Sequence, residues 1–305
     1  MLAPTHIPVL AKEVIKILQP QPGDRVLDLT LGLGGHAKIF LQHIGQSGQL
    51  VGVEADSDNL ALAKKNLETW KHQTNLIHDN FGDLASLDLK PFDVIFADLG
   101  LSSPHVDDPH RGFTFRTDAP LDLRYDRTRG KTAAQRIAAA DQEELKEIFS
   151  FYGEFTGAKR LAERIEESQR KEHRALETTQ DLRCLVEELF GYRATRLLPQ
   201  VFQALRIWTN DELKALAHLL DVAPSLLKPG GRLGIISYHS LEDRMVKRAF
   251  KTLATPTIDE QTGQVERTAL FELCTKKAVA PTLTEIEGNP RARSAHFRAV
   301  RKKMC

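Results

Sequence analysis

Residues 25–36 read R-V-L-D-L-T-L-G-L-G-G-H and join a short apolar segment to a glycine-rich turn. The apolar segment has the length of a buried strand, and Asp28 stands four residues before the first glycine, Gly32. Glycines at the carboxyl edge of a parallel sheet let the backbone approach a ligand closely, and cofactors bind at that edge. The stretch therefore predicts a first strand over 25–29, followed by a cofactor-binding turn.

The segments around this stretch alternate between helix and strand patterns. Apolar spacing predicts helices over 9–18, 36–43 and 57–70, the third with Ser57 as its N-cap, and strands over 49–54, 75–78 and 92–97. Such alternation is typical of a parallel sheet covered on both faces by helices. We therefore expect an α/β fold.

The alternation stops near Pro104 and returns after Thr209. The residues between them show no convincing strand, only an arginine- and aspartate-rich loop over 109–131 and helix patterns such as 142–151 and 159–169. Beyond them we predict a helix over 211–227, a turn at 228–231, a strand over 232–237, a helix over 240–253 and weaker strands over 269–275 and 296–301. We expect one α/β domain, residues 1–107 and 210–305, interrupted by a mostly helical domain over 108–209.

Composition excludes several classes of protein. The 305 residues are 41% hydrophobic, and 42 basic residues nearly balance 41 acidic ones, so any nucleic-acid contact must come from local patches. Cys184, Cys274 and Cys305 are too few and too scattered for a disulfide framework or a four-cysteine zinc site, and we expect no metal. The sequence has neither a long apolar span nor a signal-peptide pattern, so we expect a cytoplasmic protein.

The second predicted strand ends in an acid, Glu54, about 20 residues after the glycine turn, where a carboxylate can bind ribose hydroxyls. Gly32, Gly34 and Ala37 also fit the degenerate dinucleotide fingerprint, so an NAD-dependent dehydrogenase is an alternative. Asp28 argues against it, because a carboxylate there would repel a pyrophosphate and suits an amino-bearing cofactor. The order of acid, glycine loop and acid resembles S-adenosylmethionine-dependent methyltransferases and implies that cofactor.

Two more segments follow predicted strands at the same edge. Phe81, after the third strand, can stack on an adenine ring or belong to the core. Asp98-Leu-Gly-Leu-Ser-Ser-Pro104 follows the fourth strand, from which methyltransferases of this fold present their acceptor.

Long motifs in a fixed order extend the resemblance over almost the whole chain. They include His6-Ile-Pro-Val-Leu10, Asp28–His36, Asp98–Pro104, Arg111-Gly-Phe-Thr-Phe115, Pro120-Leu-Asp-Leu-Arg124, Phe202-Gln-Ala-Leu-Arg-Ile207, Ser237-Tyr-His-Ser-Leu-Glu-Asp-Arg244 and Asn289-Pro-Arg-Ala-Arg-Ser-Ala295. These motifs resemble the MraW family of bacterial 16S ribosomal RNA methyltransferases. The resemblance implies a class I, Rossmann-like methyltransferase fold with a helical inserted domain. It also implies methylation of the N4 amine of a decoding-centre cytidine in 16S ribosomal RNA, with the small ribosomal subunit as the expected partner.

The resemblance also assigns site residues. It implies cofactor contacts at Gly34, Gly35, His36, Glu54, Phe81, Asp98 and His105, and candidate acceptors of the amine proton at Asp98, Ser102 and Ser103. Whether a carboxylate, a hydroxyl or a backbone carbonyl takes the proton stays open. The chain departs from the family in three places: Glu54 replaces Asp (with Asp56 as a fallback), His105 replaces Gln, and Arg196–Gln200 replaces His-Pro-Ala-Thr-Arg.

Basic residues are concentrated in two segments that could meet RNA phosphates. One is the loop over 111–129, whose Phe113, Phe115 and Tyr125 could stack on unpaired bases or fill a domain interface. The other is the tail, which has no acid after Glu287 and whose alternative role is that of a solvated surface. Its basic residues are Arg291, Arg293, Arg298, Arg301, Lys302 and Lys303. His239 either faces the substrate or braces a helix that a Ser240–Asp243 capping box begins.

Two other functions compete with an RNA methyltransferase. One is a methyltransferase of the same fold acting on DNA, on a small molecule or on another RNA. The other is a non-catalytic ribosome assembly factor with a vestigial cofactor site, against which the complete set of loop residues argues. The sequence leaves open whether the chain forms a homodimer.

Overall fold

The computed structural model describes residues 7–86, 89–170, 172–173, 175–258 and 265–304. His6 of the first motif and Cys305 lie outside the described residues. The chain divides into an α/β unit, residues 1–100 with 214–305, and a helical unit, residues 101–213. The expected insertion over 108–209 lies inside the helical unit, which is longer at both ends. At its carboxyl end, the Asn210 side chain donates to the Leu123 carbonyl, and Glu212 pairs with Arg206.

Local sequence patterns set the bounds of the regular elements. The strands are β1 Arg25–Asp28, β2 Gln49–Glu54, β3 Thr74–His78, β4 Phe92–Asp98, β5 Leu227–Ser237, β6 Thr257–Ile258, β7 Val265–Arg267, β8 Phe271–Leu273 and β9 His296–Lys302. The helices are α1 Ala11–Leu18, α2 Gly35–Ile44, α3 Ser57–Asn66, α4 Ser103–Asp107, α5 Ala133–Ala139, α6 Gln142–Phe151, α7 Ala158–Arg170, α8 Thr179–Phe190, α9 Ala194–Thr209, α10 Glu212–Val222, α11 Ser240–Leu253 and α12 Leu283–Gly288.

The α/β unit is built on a seven-stranded sheet of order β3-β2-β1-β4-β5-β9-β8. The first five strands in this order run parallel, whereas β9 pairs antiparallel with both β5 and β8. Side chains of β1 and β4 alternate between two apolar cores: Val26 and Phe96 enter one, and Leu27 and Ile95 enter the other. The sheet is therefore buried on both faces, which confirms the expected α/β class.

Parallel strands place their carboxyl ends at one edge of the sheet. β1, β2, β4 and β5 end there in Asp28, Glu54, Asp98 and Ser237. We call this the ligand edge.

The structure corrects three local predictions. Asp56, not Ser57, is the N-cap of α3, because its Oδ1 accepts from the Asp58 amide at 2.8 Å. The same helix ends at Asn66, and Glu68–Trp70 forms a separate 3₁₀ turn. Residues 228–231 are not a free turn but an irregular part of β5, where the register against β4 shifts and Gly230 has a φ of +82°.

The helical unit packs α5 to α9 around an apolar core of its own. Leu145, Leu161, Leu182 and Leu205, one from each of four helices, are at most 1% exposed. Extended pairing among its described residues is confined to a single bridge between Pro120 and Thr178. In the described parts of both units, no helix combines the length and the apolar character needed to cross a bilayer.

Candidate active site

The glycine turn after β1 has a backbone that favours glycine at two positions. Gly32 and Gly34 have φ values of +53° and +82°, in the left-handed region that L side chains rarely adopt. A Cβ on Gly34 would also lie 3.1 Å from the Leu67 side chain. Gly34 is the N-cap of α2, so the turn presents the first amides of that helix at the ligand edge.

Glu54 holds the glycine turn against the second strand. Its Oε2 accepts from the Gly32 amide at 2.6 Å, and its Oε1 accepts from the Asp56 amide at 2.9 Å. Burial raises the pKa of Glu54 to about 7, against the lowering effect of these two amides. Both carboxylate oxygens of the longer glutamate side chain thus accept from backbone amides. The expected ribose contact would use the lone pairs that remain on these oxygens. The Asp56 carboxylate, the fallback, caps α3.

Asp28 is a fully buried carboxylate at the end of β1. Its Oδ1 accepts from the Thr30 amide at 3.2 Å, whereas its Oδ2 has no hydrogen-bond partner among the described residues. Burial raises the pKa of Asp28 to about 6, and the neighbouring His36 acts in the opposite direction. An unpartnered carboxylate oxygen at this edge suits a ligand that brings an amino group or another positive charge.

Asp98 is held by three groups of the α/β unit. Its Oδ1 accepts from the Gly100 amide at 3.2 Å, and its Oδ2 lies 3.6 Å from His36 Nε2. A third contact is a side-chain hydrogen bond with Tyr238. The Asp98 amide donates to Thr30 Oγ1 at 2.6 Å, which ties β4 to the glycine turn. The structure therefore brings Asp28, His36 and Asp98 together.

Sequence reasoning missed the roles of Thr30 and Tyr238, although both belong to motifs that it singled out. Burial, followed by the Asp98 charge, raises the pKa of the Tyr238 hydroxyl well above its ordinary value. The ring packs so closely on Gly100 that a Cβ there would lie 2.7 Å from a ring carbon. This contact explains the glycine in the Asp98-Leu-Gly motif.

Phe81 opens a 3₁₀ segment after β3 and is half-buried against the core on one face of the sheet. Part of its ring thus belongs to the core. Its contact with an adenine ring stays a prediction.

Ser102, Ser103 and His105 belong to the helical unit, and the other candidate residues belong to the α/β unit. Ser102 is the N-cap of α4, and His105 Nδ1 accepts from the Ser102 amide at 3.3 Å. The His105 ring is only 5% exposed and lies 5.1 Å from the ring centroids of both Phe113 and Tyr125. His105 is thus fixed by packing within its own unit, and its cofactor contact stays a prediction.

Two arginines of the arginine-rich loop, Arg111 and Arg124, are bound by groups of their own unit. Arg111 is 3% exposed and donates to the carbonyl oxygens of Arg124 and Tyr125. Arg124 makes two hydrogen bonds with the Asp122 carboxylate. Phe113 and Phe115 pack against the helical core. These four side chains bind or pack within the unit, and RNA contact by the exposed arginines of the loop, Arg116, Arg127 and Arg129, stays a prediction.

The basic residues of the tail fall into two groups, those on β9 and those just before it. Arg298 pairs with Asp243 at 2.7 Å, and Lys302 donates to the Leu227 carbonyl, so neither is a free surface charge. Because His296 lies opposite Ser237, the exposed Arg291 and Arg293, just before β9, lie near the ligand edge. Arg298 and Lys302 are therefore excluded from an exposed basic patch, and phosphate contact by the rest of the tail stays a prediction.

His239 is the N-cap of α11, and its capping box is with Glu242. The box predicted from Ser240 and Asp243 is wrong, because the cap is one residue earlier and Asp243 pairs with Arg298. His239 Nε2 lies 3.1 Å from Glu242 Oε1, which supports the bracing role.

The sheet order, the glycine turn and the acids at the ends of β1, β2 and β4 define a class I methyltransferase of Rossmann-like fold. Comparisons with known proteins identify the family. The MraW methylase family matches residues 3–303. The chain belongs to the MraW methylase family.

Named relatives and a solved structure accompany this match. A ribosomal RNA small subunit methyltransferase H of Cyanothece sp. is 41% identical over 97% of this chain and 94% of its own. The protein of the same name from Syntrophotalea carbinolica is 42% identical over 97% of this chain and 98% of its own. A putative rRNA methylase structure from Clostridium thermocellum aligns with 98% of this chain and 99% of its own, at 12% identity and a TM-score of 0.47.

The buried Asp28 predicts a specific pH dependence of stability. An acid whose pKa is higher in the folded chain than in the unfolded chain stabilises the fold at low pH and loses that contribution as pH rises. For Asp28 the interval runs from 3.8 to about 6. Relative to Asp28→Asn, the free energy of unfolding of the ligand-free wild type should fall by up to about 3 kcal/mol from about pH 4 to about pH 7.

Urea unfolding of both proteins at several pH values measures this difference. Glu54 and the other acids are present in both chains, so their contributions cancel. A difference that stays constant over the whole range would show that Asp28 is not a strained buried acid.

Proposed function

We propose that this chain transfers a methyl group from S-adenosylmethionine to the exocyclic N4 amine of a decoding-centre cytidine in 16S ribosomal RNA. The RNA is presented within the small ribosomal subunit, in the cytoplasm. Membership of the MraW methylase family supports the reaction class. The observation that carries the proposal is the ligand edge, where an unpartnered Asp28 oxygen, the glycine turn and Asp98 converge.

The residues at the ligand edge fit S-adenosylmethionine. Asp28 Oδ2 lacks a partner, and an amino-bearing or cationic ligand would supply one. Gly34, Gly35 and His36 place the amino end of α2 beside the bound molecule, and Glu54 and Phe81 would receive its ribose and adenine. When bound, S-adenosylmethionine supplies an activated methyl group on a sulfonium.

Asp98 is the candidate proton acceptor on the α/β side. The cytosine amine is a poor nucleophile because its lone pair is delocalised into the ring, so an acceptor near its N–H groups favours attack and then takes the proton. Contacts with the Gly100 amide and with Tyr238 hold the carboxylate in one orientation, which reduces the entropy lost on reaching an in-line geometry. Ser102 and Ser103, on the helical unit, are the alternative acceptors.

RNA recognition on the α/β unit is proposed for Arg291 and Arg293. Both lie near the ligand edge, where their guanidinium groups would contact phosphates on either side of the target. The target base must leave its stack to bring the amine to the methyl group.

One experiment tests the substrate and the position together. Small subunits from a strain lacking this enzyme are incubated with the purified chain and labelled S-adenosylmethionine, and mass spectrometry of the RNA locates the methyl group. Methyl on N4 of one decoding-centre cytidine supports the proposal. Methylation of DNA or of another RNA, or no transfer at all, would instead favour a different methyltransferase or an assembly factor.

Gly34→Val should abolish S-adenosylmethionine binding, because a branched side chain would occupy the space where the cofactor meets the turn and would require a strained φ of +82°. The control is Gly288→Ala, where a Cβ meets open space. Calorimetry measures both affinities and circular dichroism checks the fold. An affinity within about twofold of wild type, roughly 0.4 kcal/mol, would refute the turn as the cofactor site, and tighter binding of NAD would refute the cofactor itself.

Asp98→Ala should lower single-turnover methyl transfer at saturating cofactor and RNA by about 100-fold, or roughly 2.7 kcal/mol of transition-state stabilisation. Asp98→Asn, which keeps the shape but not the basicity, should be similarly slow if the carboxylate takes the proton. A wild-type rate in Asp98→Ala would exclude Asp98 as the acceptor and leave the Ser102 and Ser103 hydroxyls or a backbone carbonyl.

Replacing Arg291 and Arg293 together by Ala should weaken RNA binding and reduce its logarithmic salt slope by up to about two, while cofactor affinity stays unchanged. The matched control removes the exposed Lys64 and Lys65, which lie at the carboxyl end of α3, away from the ligand edge. Equal salt slopes for the two double variants would show that the residues before β9 are only a solvated surface.

A further inference from the structure

Tyr192 is the most exposed large hydrophobic side chain in the described part of the chain, at 88%. It lies on the 3₁₀ turn Gly191–Arg193, between α8 and α9. The residues around it are well anchored. Phe190 packs on Phe155, with ring centroids 6.5 Å apart, and Ala194 is 2% exposed. The fold thus holds an aromatic ring in water on a rigid corner, where it contributes little to the core.

Two guanidinium groups lie against the rings of Tyr192 and of the neighbouring Phe190, and a third, that of Arg196, follows in the first turn of α9. Arg193 lies 5.8 Å from the Tyr192 ring centroid, and Arg160 lies 5.7 Å from that of Phe190. Arg193 and Arg196 are exposed, and within the described residues neither is within ion-pair distance of a carboxylate. The first turn of α9 contains no acid, so positive side chains face the positive end of the helix dipole, an arrangement that costs stability unless an anion binds.

Most other described arginines of the helical unit have internal acidic partners. The acids closest in sequence to the corner are already paired: Glu187 with Arg183 at 2.8 Å, and Glu188 with Arg164 at 3.7 Å. The arginines with such partners are Arg124, Arg129, Arg136, Arg164, Arg170, Arg183 and Arg206. The corner therefore keeps a positive charge, whereas most other described arginines of the unit are paired with an acid.

We propose that this corner, consisting of Arg160, Tyr192, Arg193 and Arg196, binds a single-stranded segment of the ribosomal RNA substrate. An exposed aromatic ring stacks on an unpaired base of any sequence, and arginines beside it contact the phosphates that flank the base. Neither an uncharged nor a basic partner would use the unpaired guanidinium groups. The inference rests on the proposed function, because that function supplies the RNA.

The first test measures the stacking contact. The full chain is titrated with an unstructured 12-nucleotide RNA containing the target cytidine, and Kd is determined for Tyr192→Ala and Tyr192→Phe. Tyr192→Ala should weaken binding about tenfold, or about 1.4 kcal/mol, and Tyr192→Phe should bind like wild type because the ring remains. The control is Phe151→Ala, which removes another exposed aromatic of the helical unit, 67% exposed, and should have no effect.

The second test measures the charges. Arg193→Ala combined with Arg196→Ala should reduce the logarithmic salt slope of RNA binding by up to about 1.4, since each single-strand phosphate contact contributes about 0.7. Arg164→Ala combined with Arg170→Ala removes the same charge from arginines that are paired internally and should leave the slope unchanged.

Two results would overturn the inference. One is an unchanged Kd in Tyr192→Ala together with an unchanged slope in the arginine variant. The other is weaker binding to assembled small subunits with unchanged binding to the 12-nucleotide RNA, which would assign the corner to a ribosomal protein. Cofactor affinity should be unaffected throughout. Methylation by the wild type is measured in parallel, and its absence would count against the proposed function and not against the RNA contact.

Discussion

Burial of two carboxylates at one edge of the sheet is the constraint on which the site depends. Asp28 and Glu54 end adjacent strands, and burial raises their pKa values to about 6 and about 7. Hydrogen bonds from the Gly32 and Asp56 amides offset part of the cost of burying the Glu54 carboxylate. The same bonds fix the glycine turn and the start of α3. Asp28 keeps one oxygen without a partner. The ligand-free fold is therefore strained at the place where a cationic ligand would relieve it.

The same constraint organises the fourth strand. Thr30 lies in the turn that Glu54 holds, and its Oγ1 accepts a hydrogen bond from the Asp98 amide. The position of Asp98 at the ligand edge therefore follows from the position of the turn. Gly100 and Tyr238 then orient its carboxylate. A change at Glu54 would therefore reach Asp98 through the glycine turn and the Thr30 contact. We expect the cofactor and acceptor halves of the site to be coupled in this way, because rigid strands transmit small displacements.

The sequence predicted the elements well and the side-chain partners poorly. The bounds of β2, α6 and α11 match their predictions because apolar periodicity and caps are local properties. The pairing of Arg298 with Asp243, 55 residues apart, and the bond between Tyr238 and Asp98 depend on tertiary packing that no local pattern contains. His105 shows the same limit, since its ring lies against Phe113 and Tyr125.

The density of basic residues in a sequence is therefore a poor guide to an RNA-binding surface unless the residues that form ion pairs within the protein are left out of the count. The loop over 111–129 is rich in arginine, yet Arg111 and Arg124 bind carbonyls and a carboxylate of their own unit. The charge of a guanidinium paired with a carboxylate at 2.7 Å is already partly compensated, so a phosphate gains less from it than from an unpaired guanidinium. Exposed arginines that form no ion pair with a described carboxylate, such as Arg193 and Arg196, have no such competing contact. We therefore expect RNA recognition to depend more on which arginines the fold leaves without an acidic partner than on how closely the sequence spaces them.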